Sequence, residues 1–353
     1  MNTKKVRRLE MNLCTKWQQI SEIPPGPPLA KIPPRPPIFQ RGERGDFWGN
    51  IPFCFGLRRV RVYLTAFVIS FTFLGTALEG LNAGTISPEP SYPIFREVQY
   101  GFTIQNKTSD ILKGGEFWTY GPVKLNSTQR CNKLEVSHPY QIIRDDLGNQ
   151  ILYFQFANLP PHGIEIIIIK ASLGVSDMPN PLAINDARPF LTPEKYIESD
   201  HPELQQMARK FASANPRETT EKIFRWVADN ISYAGYLRDS RGALYALRNR
   251  RGDCTEYMSL FAALCRANKI PARGIGGYVC REDSILKPDS YHNWAEFYEA
   301  GAWRIGDPQK RVFRERASDY IAMRIIGESS KNPMGEFNRF RSSGIGLEVK
   351  MMN

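Results

Sequence analysis

The stretch that decides the fold is Gly252-Asp253-Cys254-Thr255-Glu256, which is followed by a run rich in apolar residues. It predicts a helix beginning at Cys254, because Asp253 is a favourable N-cap and Glu256, three residues later, completes a capping box. The apolar face of this helix, which predicts that it packs in a core, consists of Tyr257, Met258, Phe261, Leu264 and Cys265. The sequence therefore places a cysteine at the N-terminus of a core helix.

That position suits a nucleophile. Unpaired backbone N–H groups and the helix dipole favour negative charge, so they lower the pKa of the Cys254 thiol towards the reactive thiolate. The same N–H groups can hold an oxyanion. The carboxylate of Asp253 opposes thiolate formation, so a basic partner is needed.

A histidine is the expected partner. The sequence has four histidines, and His292 is the one in a predicted strand, 291–298. A turn at 299–301 joins it to a second predicted strand, 302–307. The other three lie beside prolines or in turns and are interpreted as surface residues: His138, His162 and His201.

The hairpin brings His292 to an acid. If Tyr298 pairs with Gly301, His292 lies directly across from Asp307, and a bulge at Gly301 would shift the pairing by one residue. Cross-strand neighbours have Cβ atoms roughly 5 Å apart. We therefore expect Cys254, His292 and Asp307 to act as nucleophile, base and orienting acid.

In these residues the sequence resembles the transglutaminase-like superfamily. The family pattern is a Gly-Asp-Cys at a helix start, an Ile-Pro-Ala-Arg segment, a His-x-Trp-x-Glu strand and an Asp-Pro. The chain matches it at Gly252-Asp253-Cys254, Ile270-Pro271-Ala272-Arg273, Gly277-Tyr278, His292-Asn293-Trp294-Ala295-Glu296 and Asp307-Pro308. The resemblance covers about 193–307 and implies a papain-like fold with Cys254, His292 and Asp307 as its triad.

The sequence departs from the family pattern at two positions. Lys269 stands where the family usually has glycine, and Asn293 replaces a residue that is usually small. The family's further oxyanion donor comes from upstream of the cysteine, and Tyr233 is a weak candidate for it here.

Two regions make up the chain after residue 83. Residues 84–185 read as short strands and turns, including a hairpin of 139–143 with 150–156, and predict a β-sandwich that supports or positions the next domain. In 186–353, the catalytic domain, the periodicity becomes helical. Asn215-Pro216-Arg217-Glu218 predicts one helix start, and 242–248 predicts another helix.

The N-terminal region carries most of the charge. The formal net charge is +11, from 47 basic and 36 acidic residues. Residues 1–61 hold 12 basic and 4 acidic residues, which leaves +8 there. Residues 62–78 carry no charge and reach the lower length limit for a membrane-spanning helix. The positive-inside rule then places the N-terminus in the cytoplasm.

Segment 62–83 is therefore expected to be a single-pass anchor. Two alternatives are a signal peptide cut near Ala83, which would leave a secreted protein, and a buried core helix. The tail 1–61 includes 24–37, with eight prolines in 14 positions, and predicts extended polyproline II structure. Because the charge sits beside this segment, a nucleic-acid partner is not expected.

The predicted fold class is α+β: a papain-like, transglutaminase-like core with a preceding β-sandwich and an N-terminal single-pass membrane segment. We expect an extracytoplasmic thiol enzyme, periplasmic or at the cell surface, acting on a peptide or protein of the cell envelope. A peptidase or amidase is favoured, a transglutaminase cross-linking glutamine to an amine is the alternative, and a non-catalytic envelope scaffold is the second alternative. No cofactor and no metal is expected, because the cysteines and His292 lack the close spacing of zinc ligands.

Overall fold

The computed structural model describes residues 89–329, 331–335 and 339–353. The predicted tail 1–61 and the predicted membrane segment 62–83 lie outside these residues. In the part of the chain that is described, no helix is long and apolar enough to cross a membrane.

The first part of the described chain consists of strands, as the sequence predicts. The turn at 145–149 joins the fourth and fifth strands in an antiparallel hairpin, which confirms that prediction. The sixth strand lies between the first and third, an interior place that suits its run of isoleucines. The strands are β1 (Ile94–Asn106), β2 (Leu112–Gly121), β3 (Gln129–Val136), β4 (Gln141–Arg144), β5 (Gln150–Leu159) and β6 (Ile164–Val175).

Helices come next, and their caps explain where they begin. The side chain of Asn215 accepts a hydrogen bond from the backbone N–H of Arg217 at 3.0 Å, and Pro216 occupies the first helical position. Helix α4 carries the predicted nucleophile, and its middle residues are fully buried. The α-helices of the described residues are α1 (Pro202–Arg209), α2 (Pro216–Asn230), α3 (Gly242–Asn249) and α4 (Cys254–Ala267).

The remaining strands belong to several sheets. Five of them form the central sheet of the second region, in the order β13-β12-β11-β9-β14, and α4 packs on it. Strands β7 and β8 make a short parallel pair beside the start of α4. The strands are β7 (Ser232–Tyr233), β8 (Arg251–Gly252), β9 (Ala272–Val279), β10 (Ser284–Ile285), β11 (Tyr291–Glu299), β12 (Ala302–Asp307), β13 (Val312–Phe313), β14 (Tyr320–Ile326), β15 (Phe340–Ser343) and β16 (Leu347–Met351).

The β-rich region takes strands from both ends of the described chain. One sheet has the order β10-β1-β6-β3 with β16 on β1, and the other has the order β15-β2-β5-β4. The inner faces of these two sheets share one core. In it the rings of Phe102 and Phe117 pack edge to face, with their centroids 4.9 Å apart. The boundary predicted at residue 185 therefore does not separate the sheets. Strands β10, β15 and β16 lie after residue 185 in the sequence, yet they belong to the sheets of the β-rich region.

The hairpin β11–β12 corrects the predicted register. Glu299 pairs with Ala302 and Tyr298 with Trp303, so the predicted pairing of Tyr298 with Gly301 is wrong by two residues. The reason is a two-residue turn in which Ala300 and Gly301 both have positive φ, 50° and 81°, as expected for the tight turns that match strand twist. A shift of two residues keeps every side chain on its predicted face.

Candidate active site

The capping box predicted at the start of α4 is present. The side chain of Asp253 accepts a hydrogen bond from the backbone N–H of Thr255 at 2.8 Å, and Glu256 accepts from the backbone N–H of Asp253 at 3.0 Å. A Cβ at position 252 would lie 2.3 Å from the Cβ of Glu256, so only glycine fits there. These contacts fix Cys254 as the first residue of the helix, and such a cap contributes about 1 kcal/mol.

The same two carboxylates also hold the loop that precedes α3. The second oxygen of Asp253 accepts from the backbone N–H of Leu237 at 3.0 Å, and the second oxygen of Glu256 accepts from that of Arg241 at 2.9 Å. Tyr233, the weak oxyanion candidate, pairs with Gly252 in the β7–β8 ladder, and its side chain is 61% exposed. The loop is thereby tied to the first turn of α4.

The thiol of Cys254 contacts the strand that carries the predicted base. The backbone N–H of Asn293, the residue after His292, and the hydroxyl of Thr255 lie close enough to the sulfur to lower the pKa of the Cys254 thiol. The side-chain amide of Asn293 in turn donates to the hydroxyl of Thr255 at 3.0 Å. Asn293, one of the two departures from the family pattern, therefore fastens the start of α4 to β11.

The electrostatics of the thiol differ from the sequence expectation. Burial, together with the smaller effects of the charges of Asp253 and Asp307, raises the pKa of the Cys254 thiol to about 11, against the lowering effect of the Asn293 N–H and the Thr255 hydroxyl. The helix terminus alone does not produce a thiolate, because desolvation outweighs it. The thiol can lose its proton at neutral pH only if a nearby base takes it.

The predicted base and acid are in contact. Nε2 of His292 lies 2.7 Å from Oδ2 of Asp307, and both side chains are buried. In the observed register the two residues are diagonal neighbours rather than directly opposed, which is within reach of long side chains. With Nε2 occupied by the carboxylate, Nδ1 is the ring nitrogen of His292 left for another partner.

Two further groups hold the carboxylate of Asp307, and neither was predicted from the sequence. The hydroxyl of Tyr320 donates to Oδ2 at 2.9 Å, and the backbone N–H of Lys310 donates to Oδ1 at 3.1 Å. Tyr320 lies on β14, at the far edge of the sheet from the β11–β12 hairpin, so no local pattern predicts it. The ring of Trp294 packs against the rings of both His292 and Tyr320. Its centroid lies 6.3 Å from that of the His292 ring and 5.0 Å from that of the Tyr320 ring.

Two residues of the family motifs serve structure rather than chemistry. Arg273 donates to Glu296 through Nε at 2.9 Å and Nη2 at 2.6 Å, and both side chains are buried. The guanidinium also lies 4.0 Å from the ring centroid of Trp303. The Arg of the Ile-Pro-Ala-Arg segment and the Glu of the His-x-Trp-x-Glu strand therefore form one cross-strand ion pair between β9 and β11.

The other candidate residues do not join the site as ligands. Among the described residues, no group of three or more His, Cys, Asp or Glu could hold a metal ion. Cys265 is fully buried, and burial raises the pKa of its thiol far above the ordinary value. Asn106-Lys107-Thr108 and Asn126-Ser127-Thr128 match the short pattern of a glycan acceptor. Both asparagine side chains are buried and hydrogen-bond within the protein, so they are not accessible acceptors.

Comparison with known proteins agrees with the resemblance seen in the sequence. Residues 205–308 match the family model described as the transglutaminase-like superfamily. A solved structure of a proposed cysteine protease from Cytophaga hutchinsonii is 19% identical, with a TM-score of 0.47, and the match covers 73% of this chain and 92% of that one. The periplasmic domain of TgpA from Pseudomonas aeruginosa, bound to ethylmercury, is 15% identical, with a TM-score of 0.33 and coverage of 64% and 94%. No curated protein matches the chain.

Proposed function

Because residues 205–308 form a transglutaminase-like domain, we propose that the chain is a cysteine enzyme that cleaves or transfers an amide acyl group through a Cys254 acyl-enzyme. One observation carries the proposal. His292 lies on β11, 2.7 Å from the buried Asp307 of β12, and the backbone N–H of the next residue, Asn293, is close enough to the Cys254 thiol to lower its pKa. This arrangement supports Cys254, His292 and Asp307 as nucleophile, base and orienting acid.

The reaction can be derived from these positions. The proton of the Cys254 thiol moves to Nδ1 of His292, and the sulfur attacks the carbonyl carbon of an amide. Backbone N–H groups at the start of α4 can receive the negative charge that develops on the oxygen. The C–N bond then breaks, the imidazolium of His292 protonates the leaving amine, and a thioester remains on the sulfur.

The second half of the reaction decides between the two activities. If water attacks the thioester, His292 takes the water's proton, the C–S bond breaks and a carboxylic acid leaves. If an amine attacks instead, a new amide forms. Cys254 is partly exposed, so water can reach the thioester, and we favour hydrolysis by a peptidase or amidase over transglutamination.

The proposed substrate is a peptide or protein of the cell envelope. This rests on the charge pattern of the N-terminal region, with +8 in residues 1–61 before the uncharged segment 62–78. That pattern supports a membrane anchor whose catalytic region lies outside the cytoplasm, in the periplasm or at the cell surface. Protease digestion of spheroplasts tests the location, since digestion of residues 89–353 only after the membrane is permeabilised would contradict it.

The activity is tested with a glutamine-containing peptide thioester or activated ester offered to the full chain. Intact-mass spectrometry should show an acyl adduct on Cys254 that decays in water, and the C254A variant should form none. A dansylated amine added in parallel reports transfer.

Each outcome has a meaning. An adduct that yields acid supports the hydrolase, and incorporation of the amine into the glutamine peptide supports the transglutaminase alternative. If no adduct forms and Cys254 alkylates no faster than Cys265, the proposal fails and the non-catalytic scaffold is favoured.

A further inference from the structure

Strand β14, which carries Tyr320, forms an edge of the central sheet, and side chains of the β-rich region take the place of a neighbouring strand there. The side-chain amide of Gln129 accepts a hydrogen bond from the backbone N–H of Ala322 at 2.9 Å and donates to its C=O at 3.0 Å. One side chain thus pairs with both backbone groups of Ala322, as a residue of another strand would. The backbone N–H of Val123 also donates to the C=O of Ala322, at 2.9 Å.

Asn149 repeats this contact further along the same strand. Its side-chain oxygen accepts from the backbone N–H of Ile325 at 2.6 Å, and its amide nitrogen donates to the C=O of Ile325 at 2.9 Å. Residues three apart normally face opposite edges of a strand. A bulge between Ala322 and Arg324 turns Ile325 to the same edge, and this irregularity brings both pairs of backbone groups to the β-rich region.

Both amides are themselves held in place. Gln129 and Asn149 are fully buried. The Gln129 amide also donates to the C=O of Val123 at 3.0 Å, and the Asn149 amide donates to the carboxylate of Asp145 at 2.8 Å. A buried amide with all its partners satisfied is fixed in orientation, and removing it leaves backbone groups unpaired.

The strand fixed in this way begins with Tyr320, which contacts the acid of the site. Tyr320 is buried against Trp294, and its hydroxyl donates to the Oδ2 of Asp307 that also meets His292. Burial and the nearby carboxylate raise the pKa of Tyr320 well above its ordinary value, so the hydroxyl keeps its proton and remains a donor.

We propose that the β-rich region is a working part of the active site: Gln129 and Asn149 fix β14, so that the hydroxyl of Tyr320 orients Asp307 towards His292. Tyr320, Gln129 and Asn149 are positioning residues in this arrangement. The inference rests on the proposed function, because it assigns what holds the acid of that site.

The consequence of losing the Tyr320 hydroxyl can be stated from the contacts. The carboxylate of Asp307 then keeps the backbone N–H of Lys310 on Oδ1 and His292 on Oδ2, and it is freer to rotate. A less well-oriented carboxylate stabilises the imidazolium of His292 less. The proton of the Cys254 thiol then leaves only at higher pH.

The experiment measures the pH dependence of Cys254 alkylation by iodoacetamide, by peptide mass spectrometry on the full chain. The acid limb of this profile is the range in which the alkylation rate rises with pH as the thiol ionises. In Y320F the acid limb should move up by about half a pH unit to one pH unit, because one unit is a tenfold change in ionisation. The rate at neutral pH should fall about three- to tenfold. The matched control is Y298F, which removes a hydroxyl that donates to the C=O of Leu182 at 3.1 Å and should leave the profile unchanged.

Gln129 is tested by coupling to Tyr320. Q129M should move the same limb in the same direction, and the Q129M/Y320F double variant should be no slower than Y320F, since both act through one hydroxyl. Q141M, an exposed glutamine of β4, is the matched control. Should Q129M fail to fold in thermal unfolding, Q129E keeps the acceptor for the Ala322 N–H and takes its place.

The outcomes separate this inference from the proposed function. An unchanged or downward-shifted limb in Y320F, or additive effects in the double variant, overturns the inference while Cys254 still alkylates faster than Cys265. If wild-type Cys254 alkylates no faster than Cys265, the proposed function fails, and the inference fails with it.

Discussion

The substitution D307N perturbs the His292–Asp307 pair most selectively. Three donors point at the carboxylate: His292 and Tyr320 at Oδ2, and the backbone N–H of Lys310 at Oδ1. If the asparagine places its oxygen where Oδ2 was, its NH₂ takes the place of Oδ1 and faces the backbone N–H of Lys310, so two donors oppose each other. In the flipped orientation the NH₂ faces His292 and forces the ring tautomer that carries its proton on Nδ1, which cannot accept the thiol proton.

The size of the effect is set by the charge that is lost. Two unit charges about 4 Å apart at an effective dielectric constant of about 20 interact by about 4 kcal/mol. That interaction stabilises the imidazolium of His292 once it has taken the Cys254 proton. Since about 1.4 kcal/mol is a factor of ten, D307N should lower the thiolate population at neutral pH by about three orders of magnitude.

The assay is the alkylation rate of Cys254 at neutral pH, followed by peptide mass spectrometry. D319N is the matched control, because Asp319 is also a largely buried carboxylate, paired with Arg316 at 2.9 Å, and lies next to Tyr320. The control should alkylate within about threefold of wild type. A D307N protein that is folded and alkylates as fast as wild type would refute the reasoning.

Two further predictions concern charges around the site. D253N keeps a cap acceptor for the helix but removes a charge that raises the pKa of Cys254. Cys254 in this variant should therefore be alkylated faster than in wild type at neutral pH. An equal or slower rate would contradict the effect assigned to the Asp253 charge. E296Q leaves the Arg273 guanidinium buried without its carboxylate and should lower the free energy of unfolding by about 3–5 kcal/mol in urea titrations. The exposed-pair control E221Q should change it by less than about 1 kcal/mol, and equal losses in the two variants would be inconsistent with the buried pair.

The helix that begins at Cys254 could be predicted because its signals are local. Asp253 and Glu256 bracket Cys254 within four residues, and their capping box is present. The contact between His292 and Asp307 was also predicted, although through a wrong register. The error of two residues preserved the face of both side chains, whereas a one-residue error would have separated them.

The turn itself could not be read correctly from the sequence. Gly301 signals a turn, but the two-residue turn also needs a positive φ at Ala300, a conformation that alanine seldom adopts. Tertiary pairing of β11 with β9 and β12 overrides that local preference.

The residues around Asp307 were missed for a different reason. Tyr320 is 13 residues from Asp307 in sequence, and Gln129 is 193 residues from Ala322. Such contacts depend on how the edge of one sheet meets another region, and no periodicity or motif encodes them. The thiol pKa was also misjudged, because burial of Cys254 depends on packing that the helix position does not reveal.

The central claim is that Cys254 is a thiol whose proton is taken by His292. Its most direct test is competitive alkylation of the native full chain at limiting iodoacetamide, with the rates of Cys254, Cys131, Cys265 and Cys280 read from their peptides in one sample across pH. The account predicts that Cys254 is alkylated fastest of the four at neutral pH, and that H292A abolishes this advantage. Equal rates at Cys254 and Cys265, or a Cys254 rate unchanged by H292A, would contradict it.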